Sequence, residues 1–509
     1  MPRYLNADKK GSGTVPAKHQ NDLRRQADEF IAKQKEKVSS HPWYLQYHVM
    51  PQAGWMNDPN GFSCFNGEYH LFYQHHPYDP TWGLMHWGHV KSKDLVHWEH
   101  LPVALAPDEE YDRDGCFSGS AIEKDGKHVL LYTGNVWKEG DEDNNLIQVQ
   151  AMAVSDDGIY YEKPVDNPVI STAPKGDIHP FHFRDPKVWQ HEDDYYMVLG
   201  SKTKSNTGQV LLYRSPDLLE WEFVAVMAKG AGNFGFMWEC PDLFDLDGKD
   251  ILVMSPQGVE PEGDDYHNLH QSGYVMGKLD YAAGKLDYGA FHMLDHGFDF
   301  YAPQTTIDKK GRRILIAWMD MWESKMPTQN AGYAGAMTIP RVVTRKADKL
   351  YLTPLPELKN LRENGIAHQQ VKVEGETSLP EVAGDCIELE MTLDISQTSE
   401  FGIKLRVDKA AGQETVLQFN KDTGLVVLDR NHSGEGPGGV RKASLEMADQ
   451  LDVQIFIDKS SVEIFLNGGE RVMTARIYPT EQAKEVSFFT DKSLTLVSLK
   501  KWDLKQAIK

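Results

Sequence analysis

Cysteine is scarce: four residues in 509 (Cys64, Cys116, Cys240, Cys386), none in CxxC spacing. That excludes a disulfide framework and a cysteine-rich zinc module, and fits thiols kept reduced. No run approaches the roughly 18 consecutive apolar residues of a membrane-spanning helix. Positive charge is the minority sign. The 54 Lys and Arg stand against 75 Asp and Glu, a net charge of −21, which argues against nucleic acid or an anionic membrane as partner. The opening stretch MPRYLNADKKGSGTVPAKHQ lacks the apolar core of a secretory signal, so the cytoplasm is the expected location. Phosphate-cradling glycine loops and a G-x-S-x-G elbow are missing too. Histidines pair in HWGH (86–89), HPFH (179–182) and HNLH (267–270), but none has the i, i+4 spacing of a zinc protease. Neither a metal nor a cofactor is expected.

What is present is a soluble globular composition, 40% hydrophobic and 25% charged, in a chain long enough for two or three domains. Residues 20–38 place Leu23, Ala27, Phe30 and Ile31 on one narrow stripe, which predicts a helix within an N-terminal extension over 1–42. From 43 to 343 the chain is rich in Trp, Tyr, Gly and short apolar runs, the pattern of many short strands. Five segments in this region share a strand–turn–strand layout. They begin at Asp58 (DPNGFSCFNGEYHLFYQ), Phe117, Arg184, Glu239 and Tyr301, separated by 59, 67, 55 and 62 residues. A two-stranded unit every 60 or so residues leaves room for two further strands, the size of a four-stranded propeller blade. A second echo, an aromatic after a Ser-x-Asp turn, recurs in SKDLVHWEHLPVAL (92–105), SDDGIYYEKPVDNPVI (155–170) and SPDLLEWEFVAVM (215–227). Five blades are predicted. Residues 344–369 read as a linker with a short helix near PELKNLREN. Strict alternation at Ile387, Leu389, Met391, Leu393 and Ile395, with a hairpin turn at Asn467–Gly469, predicts a β-sandwich over 370–509.

Aligning the repeats on proline brings polar residues of four units into register. Asp58 and Asp185 immediately precede Pro59 and Pro186, while Glu239 and Tyr301 lie two before Pro241 and Pro303. The innermost strands of a propeller line its axis, so equivalent strand ends from different blades converge. Any one of these acids alone reads as a turn residue. Three together, with Arg184 and several tryptophans, are costly to gather unless they are used. Paired carboxyl groups, one protonated and one ionised, suit glycosidic cleavage. Trp55, Trp82, Phe117, Trp238 and Trp318 would wall a sugar pocket.

The blocks WMNDPNG (55–61), FSGSA (117–121), RDP (184–186), ECPDLF (239–244) and DKSSVEIFLNGG (458–469) resemble the signatures of glycoside hydrolase family 32, from about residue 45 to the end. The resemblance implies an all-β fold, a five-bladed propeller followed by a β-sandwich. It implies β-fructofuranosidase activity on sucrose or sucrose 6-phosphate, with fructo-oligosaccharides, inulin or levan as alternative substrates. Asp58 matches the nucleophile, Glu239 the general acid/base and Asp185 the transition-state stabiliser. Asn57, Gln74, Trp82, Phe117, Ser118, Arg184, Tyr301 and Trp318 fall where the family contacts the fructosyl unit. An inverting pentosidase on a similar propeller also uses three carboxylates, and a non-catalytic carbohydrate-binding scaffold is the competing class. The partner implied is a small carbohydrate, and a homo-oligomer is left open.

Overall fold

The Ser-x-Asp echo is a turn built the same way three times. In SKDLVHW, Ser92 Oγ accepts the Leu95 N–H at 2.8 Å and Asp94 Oδ1 accepts the His97 N–H at 2.8 Å. The side-chain oxygens replace backbone acceptors and reverse the chain without a ladder. Ser155 with Asp157, and Ser215 with Asp217, repeat the pattern at Gly158 and Tyr160, and at Leu218 and Glu220. Each turn closes the third strand of a blade.

In the structure, a computed structural model that describes residues 17–139 and 145–508, five antiparallel sheets follow in chain order and form a five-bladed propeller. The innermost strands are Gly54–Phe65, Cys116–Lys124, Phe183–His191, Met237–Leu246 and Tyr301–Ile307. Each pairs with the strand that follows it in sequence. Tyr333–Ala334 adds in parallel to Gly54–Trp55, so the last blade is fastened to the first. The predicted helix is α1 (Ala17–Ser39). It lies against Trp98–Leu105, where Asp28 Oδ1 accepts the Val103 N–H at 2.9 Å and Arg24 donates to Tyr161 O at 2.8 Å. Residues 1–16 of the expected extension, and Lys509, lie outside the described residues.

Two expectations change. The second blade has three regular strands, and 155–170 joins it only through bridges at Val154–Glu162 and Gln150–Ile170. Pro164 and Pro168 cannot donate to a ladder, which breaks the outer strand. The linker expected from 344 is mostly strand. Arg341–Lys346 and Lys349–Pro354 complete the fifth blade, a single 3-10 turn follows at Pro356–Leu361, and Arg362–Ala383 already belongs to the next sheet.

That sheet has ten strands and a single apolar core. Its last strand, Glu485–Leu504, pairs with Glu400–Asp408 through residues 485–490 and with Ile387–Asp394 through 495–503. One strand thus serves both halves, with a register shift between them. The DKSSVEIFLNGG block of this domain faces the propeller. Asp458 accepts the Gln46 and Tyr47 N–H groups and the His48 ring, and Glu463 binds His48 and Arg341.

Candidate active site

Every innermost strand carries a β-bulge at the same level. Pairing skips between Met56 and Pro59, Phe117 and Gly119, Arg184 and Lys187, Glu239 and Asp242, and Tyr301 and Gln304. Each strand has one residue more than its partner over that interval. The repeated prolines have their reason here: Pro186, Pro241 and Pro303 occupy the unpaired stretch, where a missing N–H costs no ladder bond, and Pro59 stands opposite Tyr73 as the first paired residue beyond it. Bulging also twists the backbone. Asp185, Cys240 and Ala302 take φ of 64°, 48° and 49°, left-handed values that side chains seldom hold unless the surroundings impose them. The bulges turn Asp58, Asp185 and Glu239 toward one cavity of about 440 Å³ at the mouth of the axis.

Asp58 accepts from Asn57 Nδ2 at 3.0 Å and from Ser118 Oγ at 2.6 Å, and Trp55 Nε1 fixes Asn57 at 2.8 Å. Asp185 accepts the Cys240 N–H at 3.0 Å. The Cys240 thiol lies between the two aspartates, 3.5 Å from Asp58 Oδ2 and 3.7 Å from Asp185 Oδ2. Glu239 is the best-supplied acid. Arg184 donates to Oε1 at 3.0 and 2.6 Å, while Tyr301 OH and Gln257 Nε2 donate to Oε2 at 2.7 and 2.9 Å.

These partners divide the charge. Burial would push Glu239 up, but the Arg184 guanidinium, then the Tyr301 hydroxyl, hold it below the usual carboxylate value. Burial raises Asp58 against the opposing Ser118 hydroxyl, and nearby Glu239 adds to the rise. Burial, only partly relieved by Arg184, lifts Asp185 to about 7. Burial thus favours the protonated form of the two aspartates, while Arg184 favours the ionised form of Glu239. The roles that the resemblance implies, Glu239 as proton donor and Asp58 as nucleophile, suggest the opposite bias, because linear order does not show which acid the arginine pairs with.

Nine of the eleven expected site residues line the cavity: Asn57, Asp58, Gln74, Trp82, Phe117, Ser118, Arg184, Asp185 and Glu239. Tyr301 is fully buried and reaches the site only through its hydroxyl on Glu239. Trp318 does not reach the cavity. It is fully buried, with Trp55, Tyr301 and Trp322 around it, and Trp322 takes the wall position instead. Trp55 and Trp238, expected as walls, are packing residues; Trp238 is held by the Phe234 carbonyl. Trp137, Asn145, Leu146, Gln148 and His182 also line the cavity and escape the sequence reading. Trp137 had a signal, an aromatic ending an apolar strand just before the acidic run KEGDED. It is 39% exposed and stands 6.2 Å from Trp82, itself 38% exposed, edge to face. The histidine pair in HWGH is core: burial holds His86 at about 3 and His89 well below its usual value, so both are neutral. Among the described residues, no group of three or more His, Cys, Asp or Glu side chains is arranged to hold a metal.

A propeller with an acid-lined cavity at its axis, walled by exposed indoles and amides, is the architecture of a carbohydrate-active hydrolase. The Glycosyl hydrolases family 32 N-terminal domain matches residues 48–354 and the family 32 C-terminal domain matches 357–503. The chain belongs to glycoside hydrolase family 32. It is 43% identical to a sucrose-6-phosphate hydrolase of Escherichia coli over 476 residues, 92% of this chain and 96% of that one. It is 41% identical to a raffinose invertase of Escherichia coli over 460 residues, 89% of this chain and 94% of that one. Among solved structures, a Bombyx mori GH32 β-fructofuranosidase variant in complex with sucrose superposes with a TM-score of 0.84 at 37% identity. That match covers 96% of this chain and 99% of the other.

Proposed function

We propose that the protein is a β-fructofuranosidase that releases fructose from sucrose or sucrose 6-phosphate by double displacement with retention. The observation that carries this reading is the convergence of Asp58, Asp185 and Glu239, from three blades, on one cavity with Arg184 set against Glu239. The family and its sucrose-cleaving relatives supply the substrate class. In the reaction, Asp58 attacks the fructosyl C2 while Glu239 protonates the departing glucosyl oxygen. The resting Arg184–Glu239 pair must loosen for Glu239 to take the proton, and an arriving sugar that excludes water and engages the aspartates supplies the occasion. Positive charge builds on the ring, and Asp185 offsets it through sugar hydroxyls whose bonds strengthen at that point. Glu239 then deprotonates a water that frees the fructose. Trp82, Phe117, Trp137 and Trp322 present ring faces and edges to the sugars.

Arg184 serves the acids rather than a substrate phosphate, because its Nε and one Nη are engaged by Glu239. The four cysteines are free thiols, which suits the reducing cytoplasm we assign to it. Turnover of sucrose, sucrose 6-phosphate and inulin, measured side by side, tests the substrate. Fast inulin cleavage with slow sucrose cleavage would make it a fructanase. The chemistry is tested with Glu239→Gln: a fructoside with a good leaving group should still form the fructosyl enzyme, and azide should release it as the β-azide. An α product would refute retention.

A further inference from the structure

The repeat units contain polar residues that this chemistry leaves idle: Asn60, Lys187, Asp242 and Gln304. All sit on innermost strands just past the bulges, and each reaches a neighbouring blade. Asn60 Oδ1 accepts the Gly119 N–H at 3.1 Å, joining the first blade to the second, and Ser120 Oγ accepts the Val188 N–H at 3.0 Å, joining second to third. Lys187 Nζ lies 3.0 Å from Asp242 Oδ2 and donates to Thr305 O at 2.6 Å, joining third to fourth and fifth. Asp242 Oδ2 also accepts the Thr305 N–H at 2.7 Å, and Gln304 Oε1 accepts the Phe62 N–H at 2.8 Å. The ring is closed. Asn60, Lys187, Asp242 and Gln304 share a void of about 10 Å³ with Ser118, Asp185 and Cys240, so the ring lies directly under the carboxylate layer.

We propose that this ring is a positioning device for the reaction, with Lys187 and Asp242 as the clamp that sets the Asp185 strand against the Glu239 strand. The inference rests on the roles proposed above for the three acids. Lys187 is separated from Asp185 by Pro186 alone, and Asp242 from Cys240 by Pro241 alone. The clamp therefore holds the two strands one step below the Cys240 N–H bond to Asp185 and the Arg184 bonds to Glu239. Both residues above it, Asp185 and Cys240, are in left-handed conformations that need such over-determination. The plainer alternative is that the ring only closes the propeller.

Asp242→Asn separates these readings by the sign of a pH shift. The basic limb of kcat/KM reports loss of the proton held by Asp185 in the free enzyme. Facing Asp185 are Arg184 on its own strand, Asp58 from the first blade, and Glu239 and Cys240 from the fourth. Removing the Asp242 charge acts directly by lowering the basic limb. Releasing the clamp weakens the Cys240 N–H bond, which favours ionised Asp185, and so raises it. We expect the limb to rise by about half a unit or more and kcat to fall about tenfold or more. KM should stay within about threefold, in a variant whose circular dichroism matches the parent. An unmoved or lowered limb, or an unchanged kcat, overturns the proposal. If Asp242→Asn does not fold, Lys187→Arg, which keeps the charge but displaces the donor, is read by the same criteria. An active Asp58→Asn would instead remove the roles of the acids themselves, whatever the ring variants do.

Discussion

At the scale of single residues, the site stores electrostatic strain. Asp185 is lifted from its ordinary 3.8 to about 7, so between those values the folded chain holds a proton that the unfolded chain has lost. Stability contributed by that proton is present at low pH, drains away as pH rises through this window, and leaves a full cost above 7. Asp185→Asn removes the titration, and asparagine shares aspartate's tolerance of positive φ. Thermal denaturation at pH 8 should show the variant more stable than the parent, by about 2–4 kcal/mol, with the curves converging near pH 4. Equal stability at pH 8 would contradict the strain. The same substitution should lower kcat by about a thousandfold or more, since what is lost belongs to the transition state. Asp58→Asn should be at least as severe with its fold intact, and a tenth of parental sucrose turnover would remove it as the nucleophile. Free enzyme should lose kcat/KM with an apparent pKa near 7, belonging to the coupled carboxylates rather than to Glu239 alone. Arg184→Lys should damage cleavage of sucrose and sucrose 6-phosphate alike, because a point charge cannot donate from both Nε and Nη to Glu239. Selective loss of the phosphorylated substrate would place Arg184 among its phosphate ligands.

Among elements, what sequence reveals depends on which way a strand faces. The innermost strands are legible because bulge, proline and acid recur together, and the recurrence has one physical cause: the same backbone detour made in successive blades. Ser-x-Asp turns are legible for a similar reason. Outer strands are not. Residues 341–354, RVVTRKADKLYLTP, make a regular hairpin, yet its many charged residues, among them Arg341, which is buried against the C-terminal domain, dilute the apolar pattern into something linker-like. Which face an aromatic presents is equally hidden, so Trp318, expected at the cavity, is buried, and Trp322, which carries no such expectation, takes the wall. Helix α1 offers a test of an element remote from the cavity. Its Asp28 caps the Val103 N–H, and burial raises that carboxyl. Asp28→Ala should cost about 1–2 kcal/mol in chemical denaturation and leave kcat unchanged. A lowered kcat would show that the helix supports the site.

For the molecule as a whole, the joint between propeller and C-terminal domain is charged as well as apolar. Arg341 of the fifth blade is fully buried, 2.9 Å from Asp295, 2.6 Å from Glu463 and 2.7 Å from Thr474 Oγ1. His48 spans Asp458 and Glu463 at 2.8 and 2.9 Å. Burial opposes its charge, but the two carboxylates prevail and raise its pKa, so this contribution is complete below the ordinary histidine value and fades as pH climbs past the raised one. Beside the ions, Phe456, Phe465 and Val472 of the C-terminal domain join the same apolar cluster as Ile314, Val342 and Leu352 of the propeller. A buried ion pair adds little over a well-packed apolar substitute, but losing one partner leaves the other charged and dry. Arg341→Met, which strands Asp295 and Glu463, should therefore cost about 3–5 kcal/mol. Ending the chain after Leu361 should do worse, because it strips partners from Arg341 and His48 and bares the apolar face at once. Such a truncation should be recovered as aggregate on size-exclusion chromatography. A soluble monomer retaining sucrose hydrolysis would show that the propeller closes its own core and that the second domain serves something other than its stability.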